Sequence, residues 1–224
     1  MGVKRADLQA VFLDVDGVLL DSLPQHLQIC RDKAREYGLH ALRIPDVDAF
    51  RQMVASGVRV SPMLDFFLAL GFPSALAVRA VADYEHEFMQ RYRPAPFPGV
   101  DAMLQRLHDA GYTLGLVTSN TAANVEPALG AAMRHFDPRC LFYFDRSPEA
   151  KSKAWCLSEG ARVLGLAAGQ CVFVGDQPAD AAAARAAGVE FLGVSYGWGL
   201  PSGSSGIHMV DSVDAIAEAL TTDG

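Results

Sequence analysis

Two aspartates two residues apart, Asp14 and Asp16, follow the apolar run Val11-Phe12-Leu13 and precede Gly17. The run reads as a buried strand closed by a turn. A single aspartate after a strand commonly forms a turn or caps a helix. Two carboxylates two residues apart at a strand's end suit chemistry better: one as nucleophile, one for proton transfer, with a hard cation between them and the substrate. A second pair, Asp176 and Asp180, lies in Val172-Phe173-Val174-Gly175-Asp176-Gln177-Pro178-Ala179-Asp180. These two face one loop space, although Asp180 also suits a plain helix N-terminal charge. Thr118-Ser119-Asn120 follows the apolar run 114–117. A hydroxyl and free backbone N–H groups there suit a phosphate oxygen, and equally a cap or turn. Lys151, 25 residues before Asp176, opens a predicted helix, where a lysine is ordinarily solvated.

These residues need elements to hold them. Strands are expected at 11–14, 113–117, 140–144, 171–174, 190–194 and 208–210. Helices are expected at 24–37, 100–110, 124–130, 151–164, 179–187 and 213–220, each near a cap, Pro or Gly signal. Between the first two strands the pattern is helical only, at about 46–55, 62–70 and 74–92, closed by the proline-rich run 93–99. A Gly/Ser-rich loop is expected at 196–206. Alternating strands and helices imply an α/β fold, a doubly wound parallel sheet covered on both faces. Ligands of such sheets bind at the C-terminal strand ends, where all the unusual polar residues fall. The first strand is therefore expected at the centre, beside strands two and four.

The segment 11–22 resembles the first motif of the haloacid dehalogenase-like (HAD) superfamily of hydrolases, Asp-x-Asp-Gly-Val/Thr-Leu/Val. Thr118 takes the position of the second motif. The third motif's lysine, at a helix start, falls on Lys151 with Lys153 as its rival; Ser152 stands where many members have Pro. Gly175-Asp176-x-x-x-Asp180 matches the fourth, and 183–188 and 193–199 also look like the family. The resemblance implies that Asp14 forms an aspartyl-phosphate while Asp16 serves as acid and then base. It implies Mg²⁺ held by Asp14, the backbone carbonyl of Asp16 and Asp176, with Asp180 in support. Thr118, Ser119, Asn120 and Lys151 would bind the transferring oxygens. Dehalogenases lack the acid at Asp16, so the phosphatase branch is implied. The implied architecture is a Rossmann-like core, 1–21 and 94–224, with an inserted α-helical cap, 22–93. Asp21-Ser22-x-x-x-His26 resembles the hinge of sugar-phosphate phosphatases and phosphomutases. His26 suits packing or substrate contact there, and Arg59 is a candidate cap contact to an anion.

The expected function is a Mg²⁺-dependent phosphatase of small phosphorylated metabolites, similar to phosphoglycolate phosphatases and β-phosphoglucomutases. The alternative is a sugar phosphomutase on the same machinery. A non-catalytic binding protein would be marked by loss of the nucleophile, and Asp14 is present. The net charge of -7 over 224 residues argues against a nucleic-acid partner. No apolar run has the length of a membrane span, and the first ten residues lack a signal-peptide core. Cys30, Cys140, Cys156 and Cys171 are scattered, which suits reduced thiols and a cytoplasmic location. The substrate and the oligomeric state are not legible.

Overall fold

The computed structural model describes residues 3–5, 7–200, 203–204 and 206–222. Of the predicted Gly/Ser-rich loop, Pro201, Ser202 and Ser205 lie outside them. Six strands form one parallel sheet: β1 Ala10–Leu13, β2 Thr113–Val117, β3 Phe136–Phe142, β4 Cys171–Gly175, β5 Glu190–Val194 and β6 His208–Val210. Their order is β3-β2-β1-β4-β5-β6, so the first strand lies between the second and the fourth, as the position of its aspartates predicts.

Every residue of β1 is fully buried, because both sheet faces are covered. Strand alternation sends Val11 and Leu13 to one face, into a core shared with Met103, Leu107 and Ile216. Those come from helices α5 Val100–Asp109 and α9 Val213–Leu220. Ala10 and Phe12 go to the other face with Cys156, Leu157 and Ala184, from α7 Lys153–Leu164 and α8 Pro178–Ala187. On the first face, α6 Ala122–Leu129 adds Val125.

The insertion between β1 and β2 carries α1 Leu23–Glu36, α2 Val47–Ala55, α3 Met63–Ala69 and α4 Ser74–Arg91. Their apolar stripes meet in a cluster of their own around Phe50, Phe66, Phe67 and Phe88. Lys33 is buried within it, its ammonium 2.7 Å from Glu36, 2.9 Å from Glu87 and 3.1 Å from Asp83. Three carboxylates satisfy a charge that burial would otherwise make costly. Where the chain enters and leaves the insertion, Leu20–Asp21 pairs antiparallel with Ala95–Pro96.

Two of the boundaries that differ from expectation have a clear physical reason. β3 begins at Phe136 rather than residue 140, with Pro138 inside it. Proline reads as a strand breaker, but β3 is an edge strand, and its register jumps between Leu114↔Phe136 and Leu116↔Leu141. A bulged edge tolerates a missing N–H. α7 begins at Lys153 rather than residue 151, because Ser152 is its N-cap and accepts the Trp155 N–H.

Phe12 shows how tightly the second face is packed. A Cβ on Gly115 of β2 would lie 2.4 Å from its ring, and one on Gly160 of α7 would lie 2.5 Å away. Gly160→Ala gains roughly 1 kcal/mol of helix propensity. It must also push into a ring that cannot retreat, at a cost of about 1–3 kcal/mol. The variant is therefore expected to unfold at lower urea concentration than the parent; a higher midpoint would show that Phe12 can move aside.

Candidate active site

The C-terminal ends of β1, β2 and β4 converge, and each delivers polar residues. Asp14 follows β1 and is 3% exposed. Its Oδ2 accepts a hydrogen bond from Lys153 Nζ at 2.6 Å, and its Oδ1 accepts one from the Val15 N–H at 2.8 Å. The same ammonium reaches Asp180 Oδ1 at 2.7 Å. Asp180 Oδ2 caps the start of α8, accepting from the N–H groups of Asp176 and Gln177. Asp180 is thus both the helix N-terminal charge that sequence allowed and a neighbour of Asp14 and Asp176.

The lysine at this site is Lys153, and Lys151 is not there. Ser152 sets the first turn of α7, so Lys153 occupies its first position and points back to the strand ends. Lys151 falls in the preceding 3₁₀ turn, Glu149–Lys151, with its ammonium 4.9 Å over the Phe144 ring. The N-cap rule applied to Ser152 would have chosen correctly.

Carboxylate oxygens of Asp14, Asp176 and Asp180 all lie within 4.8 Å of one another. Burial pushes the Asp14 carboxyl up to about 7; Lys153 opposes this, and the like charge of Asp180 adds to it. Burial first, then Asp180 and Asp14, push Asp176 well above the carboxylate range. Lys153 is raised in spite of its burial, because two carboxylates hold its proton. Asp176 Oδ2 accepts from the Trp198 N–H at 2.5 Å, while its buried Oδ1 has no hydrogen-bond partner. An orphaned oxygen among three carboxylates and one ammonium fits a hard divalent cation. A Cβ on Gly17 would lie 2.0 Å from Asp176 Oδ2, and one on Gly197 would lie 2.4 Å away. Glycine at both positions lets the loops close around this carboxylate, and Gly17 also adopts φ +81°.

Asp16 lies apart from that cluster. Its Oδ1 accepts from Ser22 Oγ at 2.5 Å and its Oδ2 from Asn120 Nδ2 at 2.9 Å. Thr118 is buried at the end of β2, and its Oγ1 accepts the Asn120 N–H at 3.0 Å. That backbone donor, expected to face phosphate, therefore turns inward, while the Asn120 side chain holds Asp16. Ser119 lines the chamber that Asp14, Asp16, Thr118 and Lys153 enclose.

The opposite wall of this chamber comes from the helical insertion: Val60, Ser61, Pro62, Met63, His26 and Tyr84. His26 is 1% exposed. Its Nδ1 lies 2.7 Å from the Ser22 carbonyl, which can only accept, so Nδ1 carries the proton. Nε2 then accepts from the Tyr84 hydroxyl at 3.2 Å, and burial keeps the ring neutral. Tyr84 also lies 3.4 Å from Asn120 Oδ1. Arg59 is exposed, bonded through Nε to Asp65, and stands outside the inner chamber.

Sequence reasoning missed Trp198 and Arg51. Trp198 binds Asp176 through its backbone, yet its ring packs on His26, Phe50 and Phe66 in the helical cluster. Arg51 of α2 donates to the carbonyls of Tyr196 and Gly197, each at 2.8 Å. A tryptophan between Gly197 and Gly199 was the available signal, since flanking glycines mark close backbone approach.

The model of the haloacid dehalogenase-like hydrolase family matches residues 8–188. A phosphoglycolate phosphatase of Xanthomonas campestris is 34% identical over 203 residues, covering 86% of this chain and 85% of its own. An N-acetylmuramic acid 6-phosphate phosphatase of Pseudomonas aeruginosa is 29% identical over 88% of this chain and 85% of its own. Among solved structures, a haloacid dehalogenase-like family hydrolase of Streptococcus pneumoniae superposes with a TM-score of 0.77 at 21% identity, covering 96% of this chain and 100% of its own. CbbY of Rhodobacter sphaeroides, solved with phosphate, gives 0.70 at 19%, covering 93% and 96%. The matched span takes in β1, β2 and β4, whose ends assemble the carboxylates, and this chain belongs to the haloacid dehalogenase-like hydrolase family.

Proposed function

We propose that the protein is a Mg²⁺-dependent phosphatase of small phosphorylated metabolites, acting through an aspartyl-phosphate on Asp14. The observation that carries this reading is the pairing of Asp14 with Lys153 at the end of the central strand, beside Asp16 in one chamber. The phosphatases named above support a phosphorylated small molecule as substrate.

In this reading Asp14 attacks phosphorus and the ester oxygen leaves. Lys153 favours the Asp14 carboxylate, opposing the effect of its burial, and draws negative charge from the transferring oxygens. Thr118 and Ser119 take the remaining oxygens. Asp16 protonates the leaving oxygen, then accepts a proton from the water that attacks the aspartyl-phosphate. Its two partners suit both states. Asn120 Nδ2 is a fixed donor, whereas the Ser22 hydroxyl can rotate to accept when Asp16 is protonated. Mg²⁺ held by Asp14, the Asp16 carbonyl and Asp176, with Asp180 in support, would offset phosphate charge that otherwise repels Asp14. The segment 22–93 serves as the cap that walls the chamber from water. Four buried, unpaired cysteines and the lack, among the described residues, of any helix able to cross a membrane support a cytoplasmic placement.

Removing Lys153 leaves Asp14 without its cation. Lys153→Ala is expected to lower kcat by about a hundredfold or more, the scale of a lost electrostatic contact to the reacting charge. Turnover within a few fold of the parent, in a variant that still melts cooperatively, would refute the role given to this lysine.

Protons and metal compete for Asp14. Because its carboxyl is raised to about 7, it is increasingly protonated as pH falls below that value. Mg²⁺ affinity is expected to fall from pH 8 to pH 6, with protons released on binding. Calorimetry in buffers of different ionisation enthalpy reads this directly. Asp176→Asn should abolish binding, and full activity in excess chelator would remove the metal from the reading.

The two acids are separable by leaving group. Nitrophenolate departs without a proton, yet the aspartyl-phosphate still needs a base. Asp16→Ala with nitrophenyl phosphate should give a burst of about one equivalent and then slow turnover, since proton transfer is worth ~10²–10⁴-fold. Asp14→Ala should give no burst. Phosphate found on Asp16 by mass spectrometry would reverse the assignment.

A further inference from the structure

The helical insertion carries a cleft of its own, about 480 Å³, where α1 meets the loop that joins it to α2. It shares no lining residue with the chamber around Asp14 and Asp16. Gly38 turns the chain at φ +72°, and the Leu39 N–H bonds the Ala34 carbonyl at 2.8 Å, so the loop folds back on α1. Leu39, Leu42 and Ile44 pack against the insertion's apolar cluster. His40 and Arg43, which alternate with them in sequence, are left exposed. On α1, Arg31 and Arg35 lie one helical turn apart and share a face.

Arg31, Arg35, His40 and Arg43 all line this cleft, and among the described residues no carboxylate does. The other clefts carry acids: Asp14 and Asp16 in the chamber, Asp180 in the cleft beside it, and Glu190 in one at the end of the sheet. Two acids stand close by in sequence, and both are engaged elsewhere. Asp32 accepts from Arg35, from Gln28 Nε2 at 3.0 Å and from the Tyr92 hydroxyl at 2.9 Å. Asp46 caps α2, accepting the Ala49 N–H at 2.8 Å. Arg31 and Arg43 bond backbone carbonyls instead. Arg31 Nη2 donates to Pro45 at 2.8 Å, and Arg43 Nη1 donates to His40 at 2.9 Å. Among the described residues neither has an ion-pair partner. A carbonyl fixes one edge of a guanidinium without neutralising it, and the remaining N–H donors stay open to an anion.

We propose that this cleft is a second, non-catalytic site for an anion with two or more linked phosphate groups. Two guanidiniums without a counter-charge, one on the helix and one on the loop, each match a phosphate bidentately. Linked phosphates meet both from one molecule, whereas orthophosphate must associate twice. Arg35, shared with Asp32, adds to the local field. Ala34, Leu39, Leu42 and Ile44 give the cleft an apolar side against which an organic group on the phosphates can rest. Its volume is in the range of small-molecule sites. The proposal does not depend on the reaction at Asp14.

Calorimetry on the full chain, in buffer free of divalent metal, tests this with inorganic tripolyphosphate, a nucleoside triphosphate and orthophosphate. Tripolyphosphate should saturate one site and bind about tenfold or more tightly than orthophosphate. A nucleoside triphosphate that binds tighter still identifies a nucleotide as the occupant; equal or weaker binding identifies the phosphate chain alone. Arg31→Gln with Arg43→Gln should weaken tripolyphosphate about tenfold or more, the product of two partly exposed ion pairs worth a few fold each. Arg43→Glu alone keeps the Arg31 contact to Pro45 and should weaken it at least as much. Both variants should unfold near the parent's urea midpoint. Lys153→Ala removes the cation of the catalytic chamber and should leave the affinity within about twofold, as expected of a site that shares no partner with it. Affinity should fall as salt rises.

Three results overturn the proposal. Tripolyphosphate does not saturate in the parent. Its binding is lost in Lys153→Ala and kept in the double arginine variant, which puts the anion in the chamber. Citrate binds as tightly as tripolyphosphate, which removes the phosphate chemistry.

Discussion

Carboxylate oxygens of Asp14, Asp176 and Asp180 stand within 4.8 Å of one another in the protein interior, and everything at the strand ends answers the repulsion this creates. Charges so close and so buried cannot all ionise without compensation. Lys153 supplies one positive charge to two of them. Backbone N–H groups of Val15, Asp176, Gln177 and Trp198 supply dipoles. The sum still leaves a negative excess and one bare oxygen, Asp176 Oδ1. The site is thus stable only in a scaffold that already invests in other parts of its structure, here two packed cores on either side of a parallel sheet.

The same constraint ties the helical insertion to the sheet. The loop after β5 must bring the Trp198 N–H to Asp176, and this places the Trp198 ring among His26, Phe50 and Phe66. Arg51 then fixes the loop from the other side through two carbonyls. A second tie runs from Asp16 through Asn120 to Tyr84 and His26. The insertion has its own apolar cluster, yet its contacts with the sheet fall on residues that hold the two acids. In the proposed mechanism, wherever the cap sits bears on how Asp16 and Asp176 are aimed.

Much of this was legible in the sequence, for identifiable reasons. Strand ends announce themselves: an apolar run, a carboxylate, a glycine. Since ligands gather where parallel strands end, the central place of β1 followed from Asp14, Thr118 and Asp176 taken together. What failed was local phase. Lys151 and Lys153 are both lysines near a helix start, and choosing between them requires knowing which residue is the cap. Ser152 decides it, and the choice moves an ammonium from the Phe144 ring to Asp14. The start of β3 was missed because Pro138 breaks a central strand and not an edge one. The pairings that Asn120, Tyr84, Arg51 and Trp198 make were illegible for another reason. Their partners are 22 to 146 residues away in sequence, and no local pattern encodes such pairings.

Asp14 and Asp16 would share one face if β1 continued past Leu13. It does not continue. The Val15 carbonyl accepts the N–H groups of Val18, Leu19 and Leu20, and Gly17 turns the chain at positive φ. Asp16 is thereby swung toward the insertion, to Ser22 and Asn120, while Asp14 remains over the sheet with Lys153. One aspartate sits beside a buried cation and two other carboxylates; the other accepts two hydrogen bonds from neutral groups, one of them a hydroxyl free to reverse. Chemically identical side chains acquire different tasks when their surroundings offer them different partners. The turn at residues 15–20 creates that difference, so the proposed division of labour between nucleophile and acid–base depends on backbone geometry, with Gly17 at its pivot.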